Sequence, residues 1–186
     1  DVGSLMAIRA SSAELSILAG VGDDCTATAR TSTDAGVTWA AGAPGAAGAG
    51  ISTDGVVLAS GTVQAPCADP IDAFQGDKTS VVICDGQLEW RTGEAAWVDV
   101  PLGGVRSVGV NGGEYTLARV GAASCDGVQI ETMSASDVTP SSSTTPIGCA
   151  DGADTDNTVT IDRAGQDVWL WDGTTVRVSS DGGATW

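Results

Sequence analysis

The stretch Ser32-Thr33-Asp34-Ala35-Gly36-Val37-Thr38-Trp39 returns at the end of the chain as Ser179-Ser180-Asp181-Gly182-Gly183-Ala184-Thr185-Trp186. Both follow S-x-D-x-G-x-T-W and agree at all five fixed positions. These residue types specify a tight hairpin. Gly36 and Gly183 take a positive φ without steric cost. The carboxylates of Asp34 and Asp181 and the hydroxyls of Ser32 and Ser179 are placed to accept hydrogen bonds from the turn's own N–H groups. Trp39 and Trp186 then bring a large apolar face under the turn.

Upstream of both hairpins the chain repeats an order of strand, short turn, strand, Asp-rich turn, strand. Before the last hairpin this covers Val159 to Ile161, Asp167 to Trp171 and Thr175 to Val178. Before the first it covers Leu5 to Ala10, Glu14 to Ala19 and Thr26 to Arg30. A third copy runs through Val105 to Val110, Glu114 to Val120 and Val128 to Thr132. Thr175-Val176-Arg177-Val178 alternates as a half-buried strand does, whereas the apolar run Val168-Trp169-Leu170-Trp171 predicts a strand buried on both faces.

A second copy is less regular. It opens with Ile51 to Thr53 and Val56 to Ala59, is interrupted by a loop from Thr62 to Asp77 holding Pro66 and Pro70, and resumes with Thr79 to Ile83, Cys84-Asp85-Gly86 and Gln87 to Arg91. Its hairpin, Thr92 to Trp97, keeps only the Trp. The third copy keeps Ser136-Asp137, and a Ser/Thr/Pro loop through Pro146 replaces the Trp. The turn acids Asp24, Asp85, Asp126 and Asp172 are spaced 61, 41 and 46 residues apart. Four short strands at such a period make a propeller blade. The expectation is one all-β domain, a β-propeller or partial propeller of four-stranded antiparallel blades, with copies over 1–47, 48–103, 104–154 and 155–186. The last copy stops where its fourth strand is due, so either strand exchange with the N-terminus or a longer chain is expected to complete it.

The octapeptide resembles the Asp-box, or BNR repeat, of sialidases, sortilin-type receptors, some glycoside hydrolases and photosystem assembly propellers. The resemblance implies blade-edge hairpins in which Ser32, Asp34, Gly36, Trp39, Ser179, Asp181, Gly183 and Trp186 are structural. Asp34 and Asp181 are therefore not expected to act as catalytic acids.

Composition narrows the function. Hydrophobic residues make up 42% of 186, enough for a core, and the net charge is −16 with Lys78 as the single lysine. Such a field repels phosphate backbones and anionic membranes, so no nucleic-acid partner and no direct membrane insertion are expected. Apolar runs are only a few residues long, too short to span a bilayer. The chain has no histidine, which removes the usual Ser/His/Asp, Cys/His and Cys/His-zinc constellations.

Five cysteines, none in a CxxC pair, fit disulfides in an oxidising compartment. Cys84 and Cys125 hold one repeat position, with Cys25 one or two residues off register. Cys67 and Cys149 lie in the two long loops. Cys125 is expected to pair with Cys149, and by analogy Cys67 with Cys25 or Cys84.

No catalytic residue, cofactor or metal site is assigned. A sialidase needs an arginine cluster and a Tyr/Glu pair. Tyr115 is the only tyrosine, the seven arginines are scattered, and the family's Phe/Tyr-Arg-Ile-Pro motif is missing. Asp151 to Asn157 is the densest acidic loop, and its oxygen ligands could hold calcium, but it does not follow the EF-hand pattern. Five of the six tryptophans are allotted to hairpins or a core strand, leaving Trp90. The expected function is a non-catalytic, secreted or extracytoplasmic binding or scaffold module with a protein partner. The alternative is a carbohydrate-active propeller or a fragment of one.

Overall fold

The computed structural model describes residues 2–43, 45–136, 138–139, 141 and 143–186. Among these, every regular element is a β-strand. The chain divides into two compact units, Asp1–Gln75 and Gly76–Trp186.

In the first unit, β1 (Val2–Ala10), β2 (Leu15–Val21), β3 (Thr26–Ser32) and β4 (Ala40–Ala41) form an antiparallel sheet in chain order. Leu18 and Ala19 of β2 are buried, while β1 is largely exposed. β4 follows the first hairpin directly and pairs back onto β3, Ala40 opposite Thr31 and Ala41 opposite Arg30. β5 (Gly50–Ser52), β6 (Gly55–Leu58) and β7 (Gly61–Val63) form a separate three-stranded sheet. It approaches the first sheet at Gly50, where a Cβ would sit 2.8 Å from Met6 Cβ and 2.9 Å from Leu18 Cδ2. Only glycine permits that approach. β8 (Pro70–Gln75) ends the unit.

The next sheet has the order β11-β10-β9-β8, with β9 (Thr79–Cys84), β10 (Gln87–Thr92) and β11 (Val98–Val100). β9 is buried along its whole length. Asp85 and Gly86 connect it to β10 with φ of 50° and 78°, the doubly positive pair of a type I′ turn. β12 (Val105–Asn111), β13 (Glu114–Arg119), β14 (Gly127–Ser134) and β15 (Thr145–Asp151) form a four-stranded sheet. β16 (Val159–Ala164), β17 (Asp167–Asp172) and β18 (Thr175–Ser179) form the last, of three.

The second unit's core lies between these last two sheets. Ala118, Val128, Ile130 and Ala150 meet Val159, Ile161, Val168 and Leu170, with Trp186 packed against them. Each buried aliphatic chain contributes about 1.5–3 kcal/mol, set against about 1–2 kcal/mol per residue of backbone ordering. On the other face of β13, Tyr115 is fully buried. Its hydroxyl donates to Thr79 O at 3.0 Å and accepts from Gly76 N at 3.2 Å, which ties β13 to the β9 sheet.

The fold is an all-β propeller fold of small antiparallel blades. It differs from the sequence expectation in four ways. There are five sheets, not four copies, because residues 48–103 hold two. The β5–β7 sheet has three strands instead of four, whereas the three of the last sheet are the three read from the sequence. The stretch read as a loop, Thr62 to Asp77, contains β8 and most of β7, since a proline as first residue of an edge strand forfeits no ladder bond. The run Val168–Trp171 is also not buried on both faces. Val168 and Leu170 are buried, but Trp171 is 40% exposed.

Candidate functional site

The two quoted stretches close the same hairpin. Ser32 Oγ donates to Asp34 Oδ1 at 2.8 Å and accepts from the N–H of Asp34 and of Gly36. Asp34 then accepts from Thr38 N through Oδ1 at 2.8 Å and from Thr38 Oγ1 through Oδ2 at 2.6 Å. Trp39 Nε1 donates to Gly36 O at 3.0 Å. Each of these bonds recurs in the second hairpin, among Ser179, Asp181, Gly183, Thr185 and Trp186, at 2.6–3.4 Å. Gly36 and Gly183 have φ of 88° and 97°. Both carboxyls are held down to about 2, chiefly by the threonine hydroxyls of Thr38 and Thr185. Every oxygen of this set is engaged within its own turn, so Asp34 and Asp181 stay ionised and locally bound rather than poised to transfer protons. In the third copy Asp137 lies outside the described residues.

Cys125 and Cys149 are bonded to each other across 24 residues. Cys67 and Cys84 are also disulfide-bonded, and Cys25 is a free thiol. The expected alternative, a bond between Cys67 and Cys25, therefore does not form. Cys25 sits in the β2–β3 turn at φ 51°, its Sγ held over Gly3 of β1, whereas Cys84 is the last ladder residue of β9. The two disulfides are consistent with an extracellular location.

The remaining candidates do not converge. Tyr115 is a core hydrogen-bonding residue, and burial pushes its phenol up. In the acidic loop, Asp154 Oδ2 accepts from Asn157 Nδ2 at 2.7 Å and Oδ1 from Asp156 N at 3.0 Å. Among the described residues no group of three or more Cys, Asp or Glu gathers as a metal-ligand set. Glu89 on β10 faces Asp99 on β11, and its carboxyl is raised by burial and then by the Asp99 charge. This pair lies on a strand ladder, not across a cleft. Asp72 of β8 is raised by burial, against the lowering effect of the hydrogen bond it accepts from Ala73 N. A recess of about 280 Å³ is lined by Ser124, Gln129, Pro146, Ile147, Gly148 and Cys149. The Gln129 amide is already committed, accepting from Ser124 Oγ and donating to Gly148 O.

What sequence reading missed is an apolar surface on the last sheet. Trp171 lies opposite Val176, and Trp169 opposite Val178, so all four share one face. Val176 is 50% and Val178 54% exposed. The signal was present: β17 is apolar at four successive positions and β18 alternates, which leaves one apolar set too many for a single buried face. Trp97 also differs from a plain hairpin anchor, since the Arg91 guanidinium stacks 5.3 Å from its ring centre.

No protein-family model matches the chain, and no curated protein matches it.

Proposed function

We propose that the chain is a non-catalytic, secreted or extracytoplasmic binding or scaffold module that docks on a protein partner. The observation that carries this reading is the exposed Trp171, Val176 and Val178 surface on an otherwise acidic protein. Apolar area of that kind, placed on a rigid sheet, is what a docking surface requires. The disulfides support export, and the charge of −16 opposes nucleic acid and anionic membranes. The hydrogen-bond set common to both hairpins supports grouping the chain with the Asp-box propellers. Under this reading Ser32, Asp34, Ser179 and Asp181 hold blades and touch no ligand.

Two measurements test the reading. Purification of the native protein without reductant should bring down a stoichiometric protein partner, identified by cross-linking and mass spectrometry. A screen against glycoside substrates should give no turnover. Turnover of any glycoside in that screen would replace this reading with the carbohydrate-active alternative.

A further inference from the structure

We propose that the Ser/Thr/Pro loop between β14 and β15 is a site of O-linked glycosylation, its serine and threonine hydroxyls taking neutral sugars as the chain is exported. The proposal goes beyond the binding-module reading and rests on its export half alone. The run Thr139-Pro140-Ser141-Ser142-Ser143-Thr144-Thr145-Pro146 contains nothing but Ser, Thr and Pro. Elsewhere no more than three Ser or Thr stand together, at Thr31-Ser32-Thr33, which end β3 and enter the first hairpin. A Ser/Thr/Pro run has no apolar side chains to pack into a core, and it is the composition of O-glycosylated stalks.

The structure presents these hydroxyls to solvent. The connection they belong to, residues 135–144, is the longest inside any sheet of the second unit. Its base is docked, since Ala135 and Val138 are buried and Ala135 N donates to Gly113 O at 2.8 Å. Beyond Val138 the surroundings open, and Thr139, Ser141, Ser143, Thr145 and Pro146 are exposed. In the two S-x-D-x-G-x-T-W hairpins the equivalent groups are consumed, because Ser32 and Thr38 donate to Asp34, and Ser179 and Thr185 to Asp181. In the loop, the Thr139 and Ser141 hydroxyls bond to each other at 3.0 Å. Among the described residues, the hydroxyls of Ser143, Thr144 and Thr145 have no hydrogen-bond partner. Thr145 precedes Pro146, which favours extended backbone there, and it opens β15, the end strand of its sheet.

Glycosyl transfer asks only a free hydroxyl of this chain. The donor is a sugar carried on a phosphate. The anomeric C–O bond to that phosphate breaks, and the phosphate leaves with the bonding electron pair. The Ser or Thr oxygen bonds to the anomeric carbon, and its proton passes to the transferase's base. A phosphoryl group is the poorer modification. Each one adds about 1.5 to 2 negative charges, on a chain already at −16, whereas a neutral sugar adds none.

Trypsin releases the loop in one piece, since no Lys or Arg lies between Arg119 and Arg163. After reduction, the Val120–Arg163 peptide of the native protein should exceed its sequence mass by whole hexose or N-acetylhexosamine units. Electron-transfer fragmentation should place them on Ser141, Ser143, Thr144 or Thr145, and mild alkali should remove them by β-elimination. Combining Ser141→Ala, Ser143→Ala, Thr144→Val and Thr145→Val, none of them at a buried position, should abolish the added mass and leave the melting temperature unchanged. The proposal is overturned by a native peptide of unmodified mass, by added phosphate in place of sugar, or by the full added mass surviving in the combined variant. Any of these leaves the binding-module reading standing. Its export half fails separately if native chain trapped with an alkylating reagent carries all five cysteines as thiols.

Discussion

In each hairpin one hydroxyl and one carboxylate satisfy the turn, and their consequences differ. Ser179 is buried, and its Oγ donates to Asp181 while accepting from the N–H of Asp181 and of Gly183. Ser179→Ala strands those donors and should cost about 1–3 kcal/mol, seen as a lower guanidinium midpoint at unchanged slope. Asp34 and Asp181 are exposed, so their effect is one of pH. Their carboxyls lie at about 2 instead of 3.8. A carboxyl depressed in the folded state contributes stability above its unfolded pKa and loses it as pH falls through the folded value. Both hairpins should therefore hold fully above about pH 4 and loosen only between 3.8 and about 2. Carboxyl ¹³C titrations of the two residues are expected to show midpoints near 2, and midpoints near 3.8 would contradict the hydrogen bonding described.

At the scale of elements, legibility followed the range of the interaction. The β9–β10 and β17–β18 hairpins were readable because Asp85-Gly86 and Asp172-Gly173 punctuate apolar runs. β7 and β8 were not, since Pro66 and Pro70 read as breakers and edge placement is a tertiary fact. The two outermost hairpins could be recognised from eight residues each, whereas the Trp171–Val176 surface needed the strand register. The hidden polar layer of the β12–β15 sheet was beyond sequence for the same reason. Arg119 of β13 donates through Nη1 to Glu131 Oε1 of β14 at 2.7 Å, and the Glu131 side chain is 4% exposed. Glu131 shares its face of the sheet with Tyr115, which bonds to Thr79. Trp90 shares a face with Thr79 by the alternation of β9 and β10, so its indole points into the same layer. Among the described residues Trp90 Nε1 and Glu131 Oε2 are buried without hydrogen-bond partners, as is Asp172 Oδ1 on the last sheet, so this layer carries a polar burial cost. Arg119→Met leaves the Glu131 carboxylate uncompensated and should lose about 3–5 kcal/mol, whereas Arg119→Met combined with Glu131→Met should recover most of it. Denaturant unfolding of the single and double variants decides this. Equal losses in both would show that the pair matters through packing and not through charge.

For the whole molecule, covalent and electrostatic terms act in opposite directions. The Cys125–Cys149 bond spans 24 residues, and removing it by Cys125→Ser should cost about 3 kcal/mol through the freed unfolded chain. Against this, 24 acids face 8 bases, and the ion pairs described are Arg119–Glu131, Arg163–Glu114 and Arg177–Asp172. Most carboxylates therefore repel one another in the folded state more than in the expanded chain. Screening shortens that repulsion from a reach of about 30 Å at 0.01 M salt to about 3 Å at 1 M. Melting temperature should accordingly rise as sodium chloride is raised from about 0.01 M to about 0.2 M, the reverse of a fold that depends on surface ion pairs. Sodium thiocyanate distinguishes screening from salting-out, because in that range only ionic strength matters for screening, so both salts should stabilise alike. A melting temperature that stays flat in both would mean the acids are already spaced beyond mutual reach. A rise in chloride alone would assign the effect to hydration of apolar surface, of which the Trp171, Val176 and Val178 face is the largest described contributor on the last sheet.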